Sequence, residues 1–207
     1  MRPSPLQNRV DPFGEIRAVS ARGLLYGNRG GRFHRDDQTL GASRWKSKQW
    51  ITCLCAFKNR RNVVFGPRYT DLFFLDEPTA LAAGHRPCFE CRRDRALAYR
   101  GAVDPTEASR AGDLDRRLDA ERRAGRAKRI HTLPMDDLPD GAMFADGAQA
   151  FAIRGDAVLP WSFAGYGAAL PRPRAKNVAC LTPPTSLTAL SAGYAPEWHP
   201  SALKALS

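Results

Sequence analysis

No apolar run in the 207 residues approaches the roughly 18 that a bilayer-crossing helix needs, so no transmembrane segment is expected. The opening Met1-Arg2-Pro3-Ser4-Pro5 lacks the apolar core of a secretory signal, and the expected location is the cytoplasm, in association with the nucleoid. Histidine is scarce. Two positions after the four histidines stand Asp36, Pro87, Leu133 and Ser201, so no H-x-E exists and a standard zinc deaminase is disfavoured. No glycine-rich loop is followed by G-K-[ST], which removes a Walker-type nucleotide site. No internal repeat is found. Five cysteines, four of them in two close pairs, do not make a disulfide framework; they suit metal binding in a reducing compartment.

What the chain has is positive charge, +11 overall, and it is unevenly spread. Residues 1–100 carry 19 Lys and Arg against 9 Asp and Glu, while residues 101–207 carry 13 against 12. A basic half beside a nearly neutral one points to a polyanionic partner, DNA in the first instance with RNA as an alternative. A coding bias toward arginine explains the arginine but not its placement. A hydrophobic content of 43% is that of a globular chain with a substantial core, and a monomer is expected.

The centre of the chain is Leu72 to Arg93. A buried strand containing Phe73 and Phe74 leads into a short helix that Asp76 or Glu77 can cap, with Pro78 in its first turn and Gly84 ending it. Pro87 then opens a second helix, placing Cys88 and Cys91 on one face of its first turn. Thiolates at a helix start beside Arg86, Arg92 and Arg93 have lowered pKa values. Upstream lie Cys53 and Cys55. Two close pairs supply the four ligands of one tetrahedral structural zinc. A C-x-C on a strand also suits two core residues, and His85 or His34 then completes the set. Cys180 reads as a buried strand residue.

Trp50 to Asp94 resembles the zinc-binding N-terminal domain of Ada, the bacterial DNA-alkylation repair protein. The carriers are Phe73-Phe74, the alanine-rich run Ala80 to Gly84, and Arg86-Pro87-Cys88-Phe89-Glu90-Cys91-Arg92. The resemblance implies a small zinc module seated on DNA that takes a methyl group from a phosphotriester onto one zinc-bound cysteine. The family spaces its first two cysteines C-x-x-x-C; here they stand C-x-C, with a longer loop to the second pair.

The remainder gives an α+β fold, small antiparallel sheets with an embedded zinc-stapled strand-helix-knuckle-helix module. Residues 1–49 form a β-rich Gly/Arg section packing on the core, 50–101 the zinc module, 102–129 a charged helix or linker, and 130–207 a β-rich C-terminal section. In the first section Arg29, Gly30, Gly31 and Arg32 suit a turn that holds phosphates through backbone N–H groups. His34 and Asp36, with Glu15, are candidate catalytic groups, and Asp71 is a further carboxylate candidate. Trp50 to Phe57 and Asn62 to Phe65 read as a hairpin whose tip carries Lys58, Arg60 and Arg61. Those three join Arg29, Arg32, Arg68, Arg92 and Arg93 as nucleic-acid contacts. A helix around Leu114 and Leu118 packs lightly and is otherwise solvated. Strands over Leu138–Phe144 and Ala150–Leu159, joined at Asp146-Gly147 and turned at Gly155-Asp156, precede an aromatic segment at Trp161. Tyr69 and Trp161 are base-stacking candidates; the default for Phe151, Phe163, Tyr166 and Trp198 is core. Three functions are open: a zinc-containing DNA-binding protein of repair or modification, a DNA-acting hydrolase such as a glycosylase or nuclease, and an RNA-binding accessory factor.

Overall fold

Residues 7–87 build one sheet around the central stretch. In the computed structural model, which describes residues 4–58, 63–106 and 108–206, the strands are β1 (Gln7–Val10), β2 (Ile16–Ala18), β3 (Leu25–Asn28), β4 (Ile51–Leu54), β5 (Leu72–Phe74) and β6 (Arg86–Pro87). Their order is β2-β1-β5-β3-β4-β6. Antiparallel pairing was expected, but β1/β5 and β4/β6 run parallel, so this sheet is mixed. The expected hairpin from Trp50 to Phe65 does not form over its described residues. Strand β4 takes β3 and β6 as neighbours, and Val63 to Phe65 is irregular. Arg60 and Arg61 lie outside the described residues.

Between β5 and β6 sits α1 (Glu77–Ala82), all six residues buried. The Asp76 side chain accepts from the Thr79 N–H at 3.1 Å and hydroxyl at 2.7 Å, and Pro78 occupies the first turn, where its missing N–H costs nothing. Gly84, at φ +84°, ends the helix: the Gly84 N–H donates to Leu81 O and the His85 N–H to Ala80 O, both at 2.9 Å. The turns of α1 feed three separate apolar clusters, Leu81 into one, Ala82 into a second, Ala80 and Ala83 into the third.

Helix α2 (Arg93–Val103) begins only after Cys91, so Cys88 and Cys91 occupy a turn ahead of the helix rather than its first turn. Helix α3 (Ala111–Arg122) is more deeply seated than its charge suggested. Leu114 and Leu118 are fully buried, and beside them lie Asp115, Asp119 and Arg122, also buried. The Asp115 carboxylate accepts from Arg86 Nε at 2.9 Å and from Nη2 at 2.8 Å.

A small hairpin, β7 (Arg123–Ala124) and β8 (Ala127–Lys128), leads to a second, antiparallel sheet. It comprises β9 (His131–Pro134), β10 (Met143–Asp146), β11 (Gln149–Arg154), β12 (Ala157–Ser162), β13 (Gly165–Tyr166), β14 (Leu170–Pro171) and β15 (Asn177–Cys180). Its turns fall at Gly147 and Gly155, both with positive φ, where the sequence placed them. Helices α4 (Pro184–Ser191) and α5 (Ser201–Lys204) close the chain. No helix among the described residues is long and apolar enough to cross a membrane.

The two halves are joined at the start of α1. Glu77, 0% exposed, meets Arg92 at 2.9 Å and Arg95 at 2.5 Å, accepts the Tyr194 hydroxyl at 2.6 Å, and accepts the Glu197 N–H at 2.9 Å. Asp76 accepts the Tyr166 hydroxyl at 2.9 Å and the His199 N–H at 3.1 Å.

Candidate metal centre

Register places the cysteines. The parallel pairing Thr52↔Pro87 sets Cys53, one residue on, beside Cys88, and the Cys88 N–H donates to Thr52 O at 2.9 Å. The turn that follows closes with Arg92 N–H to Cys88 O at 3.1 Å, which brings Cys91 back over Cys88. The sulfurs of Cys53, Cys88 and Cys91 all lie within 4.8 Å of one another. A tetrahedral zinc with Zn–S bonds of about 2.3 Å holds its sulfurs about 3.8 Å apart, so a small contraction suffices. The surroundings also fit a negatively charged sulfur cluster. The Glu90 N–H points at Cys88 Sγ from 3.4 Å, and the Cys91 N–H points there too. Hydrogen bonds from the Cys53 and Cys91 sulfurs, aided by these N–H groups, hold the Cys88 thiol far below its usual range, whereas the same sharing and burial push Cys53 up. The donor set fits a soft or borderline metal ion.

Cys55 is not part of the cluster. Strand β4 ends at Leu54, and the exposed Cys55 turns away, its thiol on Leu24 O at 3.3 Å. Neither histidine substitutes for it. His85 is wholly buried between Trp50 and Phe74, with ring centroids at 5.1 and 4.6 Å. His34 stacks on Phe65 at 4.5 Å and meets Thr70 Oγ1 through Nδ1 at 2.9 Å. Among the described residues, three protein sulfurs therefore stand where four ligands were expected.

The three cysteines line a cleft of about 600 Å³. Tyr26 and Cys53 line it, and they belong to a row of residues paired across the sheet: Arg9 opposite Phe73, Phe73 opposite Tyr26, Tyr26 opposite Cys53. Because alternate residues face opposite sides of a strand, this row shares one face while Leu25, Leu72 and Phe74 fill the core on the other. Tyr26 packs against Cys53 and Cys88 and hydrogen-bonds Asp71; burial first, then the Asp71 carboxylate, raise its pKa. Asp71, 4% exposed, accepts the Phe65 N–H at 2.6 Å and lines the cleft, and burial pushes its carboxyl up. Asn28, Glu90, Arg68 and Tyr69 complete the polar wall, with Tyr69 45% exposed.

The other sequence candidates scatter. Glu15 is exposed and lines a separate groove of about 460 Å³ with Trp161 and Gln149; neither His34 nor Asp36 reaches it. Asp36 is exposed and paired with Arg32. The three do not form one site, because a charged loop leaves its carboxylates in solvent. Trp161 is half-buried, its Nε1 donating to Thr79 Oγ1 at 3.0 Å. Of the basic candidates, Lys58, Arg68 and Arg93 are exposed. Arg29 and Arg92 are interior, 1% and 3% exposed, and turned to internal partners. Tyr26 was missed by sequence reasoning, since its role comes from cross-strand pairing with Cys53 and no local motif marks it. Among known proteins the chain matches no family model, no curated protein and no solved structure.

Proposed function

We propose that the protein is a zinc-containing DNA-binding protein of repair or modification, related in its central stretch to the Ada-type zinc domain, and that its cleft receives damaged or modified DNA. The observation that carries this reading is the position of the three sulfurs. They line an open cleft with an arginine and an exposed tyrosine on its wall, and no fourth protein ligand joins them among the described residues. Cys53, Cys88 and Cys91 would hold the zinc, which would keep their thiolates deprotonated and nucleophilic beside the cleft. Arg68 and Arg93 contact phosphates, and Tyr69 offers a face on which a base stacks. A hydrolytic reading is favoured by one observation: the buried Asp71, with its raised pKa and its bond to Tyr26, lies in the same cleft and suits a general base.

The test is binding to labelled duplex and single-stranded DNA, with and without alkylated phosphates or bases, across a salt series. Each phosphate contact contributes about −0.9 to the slope of log K against log salt on duplex DNA. Removal of Arg68 and Arg93 together is expected to make the slope shallower by about 1.8. An unchanged slope, or no binding at low salt, refutes the cleft as the DNA face. Products that form with the parent and vanish in Asp71→Asn, binding intact, select the hydrolytic reading.

A further inference from the structure

We propose that the protein carries a second site, separate from the cysteine cleft, that binds a phosphate group between the loop at Arg44, the end of α3 and the β7–β8 hairpin. A cavity of about 40 Å³ lies there. Its walls carry six cations, Arg29, Arg44, Arg122, Arg123, Arg126 and Lys128, against one carboxylate, the exposed Glu15. A single water needs about 10–15 Å³ of such space, so the cavity has the size of one tetrahedral oxyanion rather than of a larger ligand.

The protein shows elsewhere how it buries an arginine for structural ends. Arg86 is locked to Asp115 by two bonds, and Arg92 lies on Glu77 and Glu197. Arg29 is buried as completely but has no such partner. Its guanidinium reaches Gly14 O at 2.8 Å, Arg44 O at 3.4 Å and the His85 ring at 3.3 Å, and among the described residues it forms no ion pair. Among the described residues Lys128 donates only to Ala82 O. Asp119 serves Arg122, Arg123 and Lys48 together. Arg122 keeps a buried Nε without a partner at the pocket wall. Trp50, with Arg29 and Arg122 each 3.9 Å from its ring centroid, offsets part of this charge, but a neutral ring is a weaker counterpart to a guanidinium than a carboxylate is. Burial first, then Arg122, lowers Arg29 to about 9 against the pull of Glu15 and Asp11, and burial is the largest cause in lowering Lys128 to about 7. A phosphate oxyanion supplies the missing negative charge and takes the forked donors that arginine presents.

The probe is inorganic phosphate titrated into the full-length protein at constant ionic strength, followed by calorimetry and ³¹P line broadening. Two further arms use one oligonucleotide bearing a 5′-phosphate or a 5′-hydroxyl. Saturable binding of inorganic phosphate, weakened roughly tenfold in Lys128→Met and in the exposed Arg126→Ala, is the expected result. A preference for the 5′-phosphorylated oligonucleotide that both variants abolish assigns the phosphate to a nucleic-acid end and supports the site equally. Absence of both effects, or binding that neither variant weakens while circular dichroism shows both folded, overturns the proposal. This site is read from the effect of Lys128→Met and Arg126→Ala on inorganic phosphate, and the cleft from the salt slope on duplex DNA, so failure here and failure of the cleft as a DNA face are read separately.

Discussion

Serine in place of Cys53, Cys88 or Cys91 removes one of three sulfurs within 4.8 Å, whereas serine in place of Cys55 removes a thiol that only touches Leu24 O. The first three variants are expected to purify without stoichiometric zinc and with a lowered melting temperature, and Cys55→Ser to keep one zinc per chain by elemental analysis. A structural zinc contributes on the order of 10–16 kcal/mol in small peptides, so the contrast is large. The spacing of Cys88 and Cys91 was legible in the sequence. The choice between Cys53 and Cys55 was not, because a C-x-C on a strand faces one way on paper and the strand end at Leu54 decides it. His85 offers a second measurement. Burial first, then Arg29, Arg122 and Lys128, hold its pKa well below the usual value. The unfolded chain takes up the proton near pH 6.5 and the folded one does not. The contribution of His85 to stability is therefore complete above about pH 6.5 and is lost as pH falls toward the folded pKa, by at most about 1.4 kcal/mol per pH unit. Urea unfolding between about pH 7 and 5 should show a shallower fall in His85→Gln than in the parent.

Helix α1 was legible nearly residue by residue, because its signals are local: the Asp76 cap, Pro78 in the first turn and Gly84 after the last. Glu77 was legible only as an alternative cap. Its role as the anchor of Arg92, Arg95 and Tyr194 rests on partners up to 117 residues away, which no local pattern announces. Strand β5 and the β10–β12 meander were found for the same local reasons, while β6 was missed because two residues beginning with Arg86-Pro87 read equally well as a helix start. The end of α1 is also where a small change has a large effect. At Gly84 an added Cβ would stand 2.5 Å from Arg122 Cδ, and φ is +84°, so both space and backbone oppose a side chain. Gly84→Ala is expected to cost at least about 1–2 kcal/mol by denaturant unfolding. If stability is unchanged, the close packing of α3 against this turn is wrong.

At the scale of the molecule, the charge asymmetry in composition did not translate directly into a surface. Arg29, Arg86 and Arg92 all belong to the basic first hundred residues and all lie inside, so the outward field of that half is weaker than its +10 suggests. Burial of a long side chain is decided by partners distant in sequence, and composition cannot report it. Nor can the metal centre be lifted out with its resemblance. Residues 50–101 take β3 from upstream and the Glu77 partners Tyr194 and Glu197 from the far end of the chain. A peptide of residues 50–101 is expected to stay unfolded with zinc added, by circular dichroism, where the full chain folds. A folded, zinc-loaded peptide would refute the dependence.

The row Arg9–Phe73–Tyr26–Cys53 across the sheet makes the centre sensitive to length rather than to composition alone. One residue inserted into β3 or β4 swaps the two faces of that strand, sending Tyr26 or Cys53 toward the core and Leu25 or Thr52 into the cleft. Substitutions along these strands are graded in effect, but a single-residue insertion or deletion is all-or-none. Drift in this protein is thereby confined to changes that conserve strand length, and its loops are left to absorb every gain or loss of residues.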